Sequence, residues 1–289
     1  MDWISSLQKS INYIEEHLTD NIDYNDVANQ ANFSNYYFQR IFNLLCGLTI
    51  GDYIRYRRLT LAGNDLCSSN LKVIDVALKY CYESPESFTR AFSRFHGITP
   101  SEARENGSQL KSFSPLSVKI TLSGGNIMNY KIVEKSEFSI LEKVETHSIE
   151  NGDNNKTIPE FWSRSAADGT LETLTQLTTD KSLIFGVCYN NSLENSKLFD
   201  YSIAAICDDN TIVPTGFRKN TIPARTWAVF ECIGAMPDAI QKLWQKIMSE
   251  FFPTSIYQPT YEMDIETYTD GDMNSDDYRS EIWIPIIKK

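Results

Sequence analysis

The strongest constraint on the fold of this 289-residue chain is an internal repeat near its N-terminus. The same residue types recur at a separation of 49 or 50 positions. The recurring positions are Phe38, Arg40, Phe42, Gly47 and Thr49, matched by Phe88, Arg90, Phe92, Gly97 and Thr99, and Asp26, Val27 and Ala28, matched by Asp75, Val76 and Ala77. A period of this length is typical of one supersecondary unit, so the sequence predicts that a single unit is built twice.

Each copy has the pattern of a helix-turn-helix. A short helix is followed by a turn, and Ser34 or Ser84 then stands where a second helix begins, since a serine hydroxyl can accept a hydrogen bond from an otherwise unpaired backbone N–H. Gly47 and Gly97 follow where these helices should end, because glycine readily adopts the left-handed conformation that closes a helix. With further helices before the first copy and over residues 50–66, the pattern predicts an all-α first domain with two helix-turn-helix modules.

The charge distribution limits what this first domain can bind. The whole chain carries a net charge of −11, which argues against indiscriminate binding to polyanions. Residues 34–104, however, carry nine Lys and Arg against six Asp and Glu, a net charge of +3 between acidic flanks. DNA binding by this region is therefore expected to depend on specific contacts more than on general electrostatic attraction.

After this region the sequence changes to alternating patterns typical of strands. The expected boundaries are 1–107 for a DNA-binding domain, 108–126 for a Gly- and Ser-containing linker, and 127–289 for a second domain. The expected strands are 129–134, 138–145, 183–189, 200–207, 225–232, 261–268 and 280–287, with helices over 157–177 and 238–251. The order strand, helix, strand, strand occurs twice, which predicts an α+β domain formed by duplication, with helices on one face of a sheet.

Several protein classes are disfavoured by what the sequence lacks. It has no apolar run of about 18 residues that could span a membrane and no secretory signal, so a cytoplasmic location is expected. Its six cysteines show no CxxC spacing, and no HExxH, P-loop or GxGxxG motif is present, so neither a metal site nor a cofactor is expected. The second domain contains a single histidine, His147, without a nucleophile motif around it, so an enzyme is not expected.

The motifs resemble two known families. The first part resembles the AraC/XylS family of transcription regulators, through the doubled helix-turn-helix, IRYRRL at 54–59 and FTRAFSRFHGITP at 88–100. The second part is similar to the GyrI-like effector-binding fold, through IPARTWAVFECIG at 222–234, IETY at 265–268 and EIWIP at 281–285. A DNA-binding half followed by a GyrI-like half resembles the Rob-type arrangement.

The chain departs from the AraC/XylS pattern in its two helix-helix turns. The family usually has glycine there, whereas this chain has Asn32 and Cys81. Asparagine tolerates the left-handed conformation well, while cysteine is disfavoured by roughly 1 kcal/mol if the turn keeps that conformation.

The N-terminal part of each second helix is expected to be exposed and to enter the major groove of DNA. The residues expected to reach base edges are Asn35, Tyr36, Gln39 and Arg40 in the first module and Glu86, Ser87, Thr89, Arg90 and Arg94 in the second. Arg55 and Arg58 on the joining helix are expected to contact the phosphate backbone. A joining helix of about 15 residues spans ~23 Å, so one chain could read two grooves about one DNA turn (~34 Å) apart without forming an oligomer. The alternative is that Arg40 and Arg90 pair with acids inside their own modules.

The last predicted strand points to a ligand. Because side chains alternate along a strand, Glu281 and Trp283 share one face, where a carboxylate beside an indole suits an organic cation. The GyrI-like resemblance likewise implies that Glu281 lies in the effector cleft. The other aromatic residues expected to converge on that cleft are Trp162, Tyr189, Trp227 and Tyr268. The alternative is that Glu281 lies exposed at a sheet edge and that the aromatic residues belong to the core.

The sequence therefore predicts a ligand-responsive transcription regulator, expected to activate rather than repress. The expected partners are double-stranded DNA, a small-molecule effector that is a lipophilic or aromatic cation, and RNA polymerase. Two alternatives stay open: control by protein partners in place of a ligand, and hydrolysis of a small molecule with Glu281 as a general base.

Overall fold

The chain forms two units of different secondary structure. The computed structural model describes residues 3–105, 107–118, 127–149, 152–179, 183–190 and 198–289. The first unit comprises Met1–Phe33 and Cys46–Ile120, and the second comprises Ser34–Leu45 and Thr121–Lys289. All strands of the described residues lie in the second unit. The predicted fold class, an all-α double helix-turn-helix followed by an α+β domain, is confirmed.

The N-terminal region folds into helices in the order that the repeat predicts. The helices are α1 (Trp3–Glu16), α2 (Tyr24–Gln30), α3 (Asn35–Cys46), α4 (Ile50–Ser68), α5 (Val73–Lys79) and α6 (Pro85–His96). The pairs α2–α3 and α5–α6 are the two helix-turn-helix modules. Their second helices, α3 and α6, are the ones expected to read DNA, and we call them the recognition helices. One feature was not predicted: most of α3 belongs to the second unit, with the strands.

The ends of both recognition helices form as the sequence predicts. The backbone N–H of Tyr37 lies 3.2 Å from the Ser34 hydroxyl, and that of Ser87 lies 3.2 Å from the Ser84 hydroxyl. Gly97 closes α6 in the left-handed conformation with a φ of 88°. These contacts satisfy backbone groups that have no partner within the helix, so they fix where each helix begins and ends.

The turn residues Asn32 and Cys81 both adopt the left-handed conformation, with φ values of 57° and 62°. Replacing Cys81 with glycine is therefore expected to raise the free energy of unfolding of the first unit by about 1 kcal/mol, because the strain of a side chain at positive φ disappears. Urea denaturation followed by circular dichroism measures this change. The matched variant Asn32→Gly should change stability much less, and a Cys81→Gly protein no more stable than the wild type would contradict strain at this turn.

The described part of the predicted linker is not a free tether. Residues 107–118 have no regular secondary structure, but they lie along α4. The backbone N–H of Phe113 donates to the Thr60 hydroxyl at 2.9 Å, and that of Leu116 donates to the Tyr53 hydroxyl at 3.1 Å. This segment is therefore part of the first unit, while residues 119–126 of the predicted linker lie outside the described residues.

The second unit is built on one antiparallel sheet. Its strands are β1 (Tyr130–Lys135), β2 (Phe138–Ser148), β3 (Leu183–Tyr189), β4 (Leu198–Ile206), β5 (Arg218–Ile222), β6 (Arg225–Ile233), β7 (Tyr257–Pro259), β8 (Met263–Thr269) and β9 (Arg279–Lys288). They lie in the order β1-β6-β9-β8-β3-β4-β2-β5, and β7 pairs with β9. The helices are α7 (Asn154–Ala167), α8 (Thr170–Leu177) and α9 (Asp238–Lys246).

The predicted duplication of strand, helix, strand, strand is present as β2-α7/α8-β3-β4 and β6-α9-β8-β9, with differences in detail. The helix expected over 157–177 is divided into α7 and α8, because Gly169 adopts a φ of 83° between them. The helix expected over 238–251 is present as α9 followed directly by the helical segment Ile247–Phe251. Strands β5 and β7 were not predicted, since β5 is mostly polar and β7 has only three residues.

Two buried clusters occupy opposite faces of the sheet. On one face, which we call the helix face, Phe161 of α7 and Leu174 of α8 pack on Phe199 and Tyr201 of β4. On the opposite face, which we call the reverse face, the buried side chains include Phe185, Val187, Tyr189, Trp227, Ile265 and Trp283. Since successive side chains of a strand point to opposite faces, the register decides which residues can share a site.

No helix among the described residues is both long enough and apolar enough to cross a membrane.

Candidate effector cleft and DNA-recognition helices

The helix face carries a carboxylate that two aromatic side chains hold in place. Glu266 of β8 accepts a hydrogen bond of 2.7 Å from Trp244 Nε1 and one of 2.8 Å from the Tyr268 hydroxyl. Burial and the charge of Glu266 raise the pKa of Tyr268, so its hydroxyl stays protonated and can donate. The Glu266 side chain is only 15% exposed, which places its charge in surroundings that screen it less than water does.

Two more aromatic side chains extend this surface toward α7. Trp162 packs edge-to-face on Tyr268 with ring centroids 5.0 Å apart, and its Nε1 donates to the Tyr201 hydroxyl at 3.0 Å. The Tyr201 ring fits because Gly186 of β3 has no side chain, since a Cβ there would overlap the Tyr201 hydroxyl. We call the group formed by Glu266, Trp162, Tyr201, Trp244 and Tyr268 the Glu266 cleft; in this structure Tyr201 and Trp244 are buried, with 4% and 3% of their surface exposed.

The structure divides the six predicted effector-binding residues between the two faces of the sheet. Trp162 and Tyr268 lie in the Glu266 cleft. The other four, Tyr189, Trp227, Glu281 and Trp283, lie on the reverse face. The expectation that all six converge on one cleft is therefore wrong, because Glu281 pairs across the sheet with Thr267 and not with Glu266.

The predicted pair of Glu281 and Trp283 forms, but lysines of the same chain occupy it. Trp283 Nε1 donates to Glu281 at 2.7 Å, and Lys131 Nζ makes an ion pair with the same carboxylate at 3.0 Å. Lys135 Nζ lies 4.2 Å from the centroid of a Trp283 ring. A ligand cation would have to displace both lysines, and a general base at Glu281 would have to give up its ion pair.

The remaining two reverse-face residues are enclosed in the core. Trp227 is fully buried. Tyr189 donates a hydrogen bond of 2.5 Å to Glu142, a fully buried carboxylate that also accepts from Ser202 at 2.6 Å and from Arg218 at 2.7 Å. Tyr189 therefore helps to satisfy a buried charge. Its position in the core agrees with the alternative given above, in which the aromatic residues belong to the core.

Sequence reasoning missed Glu266, Trp244 and Asp264 as site residues. A usable signal was present, because alternation along β8 places Asp264, Glu266 and Tyr268 on one face, in the same way that it pairs Glu281 with Trp283. Trp244 lies on the buried, apolar side of α9 together with Ile240 and Leu243. The indole N–H of Trp244 also donates a hydrogen bond to Glu266, which makes Trp244 part of the site.

Arg40 of α3 reaches the Glu266 cleft. Its guanidinium carbon lies 4.4 Å from the centroid of the Trp244 ring, and its Nη1 donates to Asp264 at 2.6 Å. Its Nη2 lies 4.0 Å from Glu266 Oε1. Burial raises the pKa of the Asp264 carboxyl, and the charge of Arg40 acts against that shift. Arg40 thus pairs with an acid, as the alternative proposed, but the acid lies in the second domain and not in its own module.

The α3 face that was expected to read DNA is buried. Asn35, Tyr36 and Gln39 are 6%, 4% and 9% exposed. Tyr36 packs on Phe199 with ring centroids 4.1 Å apart, and its hydroxyl lies 2.7 Å from Cys188 Sγ. Burial raises the pKa of both Tyr36 and Cys188, so neither carries a charge. The expected exposure of these residues is therefore wrong here, because the same helix face packs on the sheet.

Helix α6, by contrast, presents its predicted contact residues to solvent. Its apolar side is buried through Phe88 and Phe92, which pack with α4 and α5. On the other side the predicted DNA-contact residues are exposed or half-buried: Glu86, Arg90 and Arg94 exposed, Ser87 and Thr89 half-buried. Three of the five predicted residues are thus exposed, and their contacts to bases stay a prediction.

The two arginines expected to contact phosphates differ in their surroundings. Arg55 is exposed and forms an ion pair with Asp52, one turn away on α4. Arg58 donates to the carbonyl oxygens of Leu18 at 2.8 Å and Asp20 at 2.6 Å, and so satisfies carbonyls beyond the end of α1. Arg55 therefore keeps the better position for a phosphate contact.

Comparison with known proteins follows the same division. Residues 131–286 match the family of integron-associated effector-binding proteins, and residues 27–106 match a helix-turn-helix domain family. The HTH-type transcriptional regulator YbfP of Bacillus subtilis is 39% identical over 104 residues, which cover 36% of this chain but only 35% of YbfP. The HTH-type transcriptional activator AarP of Providencia stuartii is 37% identical over 97 residues, 34% of this chain and 72% of AarP. The solved structure of SAV2435 bound to tetraphenylphosphonium is similar with 24% identity and a TM-score of 0.49, covering 55% of this chain and 94% of that one.

The fold, the two family matches and the likeness to AarP define a DNA-binding transcription regulator with an effector-binding domain. The chain belongs to the AraC-type helix-turn-helix regulators that carry an integron-associated, GyrI-like effector-binding domain, in the Rob-type arrangement.

Proposed function

We propose that this protein is a transcription activator controlled by a small aromatic or lipophilic cation that binds in the Glu266 cleft. The observation that carries this proposal is the position of the Glu266 carboxylate, which is 15% exposed and lies among the rings of Trp162, Trp244 and Tyr268. A carboxylate supplies charge pairing to a cation. Aromatic faces add attraction of about 0.5 to 2 kcal/mol each and favour a cation that is itself apolar.

The proposal is supported by a cation that already sits at the cleft. The Arg40 guanidinium lies against the Trp244 ring and is paired with Asp264. A delocalised, planar cation is therefore compatible with the shape and charge of this surface. We place the site here and not at Glu281 because the Glu266 side chain is 15% exposed and the Glu281 side chain 28%, so water screens the charge of Glu266 less.

For the DNA-binding half, we propose that residues 1–107 form the DNA-binding domain, 108–126 a linker whose described part packs along α4, and 127–289 the effector-binding domain. Helix α6 would enter a major groove through its exposed Arg90 and Arg94. A single chain would read two successive grooves once α3 also engages DNA, so no oligomer would be required. AarP is named a transcriptional activator, which supports the same sign of regulation here. Because an activator acts on transcription, we also propose RNA polymerase as a partner.

The test is a titration of the full chain with tetraphenylphosphonium, a permanent cation with four aromatic rings and no hydrogen-bond donor. Quenching of tryptophan fluorescence should report binding beside Trp162 and Trp244. Glu266→Gln should weaken binding by about 2 kcal/mol or more, some 30-fold, because it removes the opposing charge from a poorly solvated site.

Glu281→Gln is the matched control, since it removes the same charge from the reverse face and should leave the affinity for tetraphenylphosphonium nearly unchanged. Neutral triphenylphosphine oxide should bind much more weakly than the cation. Equal losses in both variants, or no response to the cation, would contradict the proposed site.

A further inference from the structure

We propose that α3 is an internal occupant of the Glu266 cleft, in which Arg40 takes the place of a ligand cation, so that a cation effector and operator DNA both require α3 to leave. This inference rests on the proposed function, because it concerns the same cleft. It adds that the recognition helix of the first module is the competitor of the effector.

The surroundings of Arg40 have the chemistry of a cation-binding site. Its guanidinium stacks 4.4 Å from the centroid of the Trp244 ring, forms a 2.6 Å ion pair with Asp264, and lies 4.0 Å from Glu266. Two cations cannot share the Trp244 face and the neighbouring carboxylates. A ligand that binds against Trp244 and Glu266 therefore has to displace the Arg40 side chain.

The rest of α3 is anchored in the second unit at further points along the helix. Near its start, the Tyr36 ring packs on Phe199, 4.1 Å between centroids, and its hydroxyl lies 2.7 Å from Cys188. The next residue, Tyr37, packs on Tyr261 with ring centroids 4.5 Å apart. Near its end, Gln245 of α9 donates to the Leu44 carbonyl at 3.1 Å.

The anchored face of α3 is the one that its sequence dedicates to DNA. Asn35, Tyr36, Gln39 and Arg40 are predicted to reach base edges, and the first three are less than one-tenth exposed. A helix reads base edges only when this face enters the major groove. Packing in the cleft and DNA recognition are therefore mutually exclusive states of α3.

The coupling follows from this exclusion. A cation that binds the cleft only when α3 has left favours the state in which α3 is available to DNA, and by linkage DNA raises the affinity for the cation by the same factor. The anchor is suited to such a switch, because the net stability of a largely buried ion pair is small once the cost of desolvating both charges is included.

The test uses Asp264→Asn in the full chain, a change that weakens the anchor of Arg40 without touching a predicted DNA-contact residue or Glu266. In the absence of any cation, this variant should bind operator DNA about 5- to 150-fold more tightly than the wild type, the usual range of such couplings. In hydroxyl-radical footprinting, the wild-type protein without tetraphenylphosphonium should protect one groove of the operator. Wild type with tetraphenylphosphonium, and Asp264→Asn without it, should protect a second groove about ten base pairs away.

Asp270→Asn is the matched control, because it removes the same charge from the exposed loop after β8 and should leave DNA affinity at the wild-type value. A second variant, Tyr261→Gly, removes the ring that packs on Tyr37 and relieves a positive φ of 63°. It should shift DNA affinity in the same direction as Asp264→Asn. Tyr261→Gly therefore replaces Asp264→Asn as the test if Asp264→Asn does not fold. Circular dichroism shows whether each variant is folded.

The outcomes separate the two proposals. If both anchor variants keep the wild-type affinity and a single protected groove, α3 does not occlude itself and the inference is overturned. If tetraphenylphosphonium does not bind but the anchor variants acquire the second groove, the inference stands and the proposed effector fails. If the cation binds through Glu266 but leaves DNA affinity unchanged, the proposed cleft stands and the competition with α3 is refuted.

Discussion

Gly186→Ala is expected to lower the free energy of unfolding of the second unit by about 1 to 3 kcal/mol, the usual cost of overpacking a core, and to weaken cation binding more than tenfold. Gly186 pairs with Glu266 across neighbouring strands and lies on the helix face. A Cβ there would overlap the Tyr201 hydroxyl and lie 3.5 Å from the Trp162 ring. Tyr201 would have to leave its place, and Trp162 Nε1 would lose its hydrogen-bond acceptor.

The double variant Gly186→Ala/Tyr201→Phe provides the control for this prediction. It removes the oxygen that the new methyl group would overlap, so it should recover a substantial part of the stability lost in the single variant. Urea denaturation and tetraphenylphosphonium titration measure the two effects. A single variant with wild-type stability and affinity would show that Tyr201 does not rest on β3 in solution.

Arg90→Ala is expected to have the largest effect on DNA binding without effector, because α6 is the recognition helix whose predicted contact face is exposed. An arginine that contacts a guanine with two hydrogen bonds discriminates by about 1 to 3 kcal/mol, so the specific affinity should fall roughly 5- to 150-fold. Sequence preference should relax at one patch of the operator. Selection of binding sites from a randomised library reads this change directly.

Arg55→Ala is the informative comparison, because Arg55 is exposed on α4 and is predicted to contact phosphates. It should weaken binding about equally for all sequences and reduce the salt dependence by about one charge, with no change in base preference. If Arg90→Ala instead behaves like Arg55→Ala, α6 does not read bases through this residue.

Arg40 of α3 has two possible partners of similar chemistry, a base edge of DNA and the Glu266 cleft. Arg40 is placed by the sequence repeat where Arg90 stands in the second module, yet in this structure its guanidinium meets Trp244 and Asp264. Both the edge of a guanine and this cleft offer hydrogen-bond acceptors to a planar cation. The same side chain can therefore serve as a base reader and as an internal ligand.

The sequence predicts those features of the candidate site that depend on neighbours along one strand, but not those that depend on how helices pack on the sheet. Alternation correctly placed Glu281 beside Trp283, and the same rule applied to β8 pairs Glu266 with Tyr268. Alternation cannot decide which of the two faces is covered by helices. That choice depends on how α7 and α9 pack on the sheet, and it moved the acidic aromatic site from Glu281 to Glu266.

By itself the sequence determined the local features of this protein. The repeat, the serine caps and the glycines that follow α3 and α6 fix two helix-turn-helix modules, because capping and backbone conformation involve residues only a few positions apart. Strand alternation similarly fixed most of the sheet. Only the tertiary structure decided that the α3 face expected to be exposed is buried. Its residues contact partners more than 150 positions away in the sequence: Tyr36 contacts Cys188, and Arg40 contacts Asp264. Contacts at that distance leave no periodicity in the sequence, and so a helix patterned for DNA proved to be packed against the sheet.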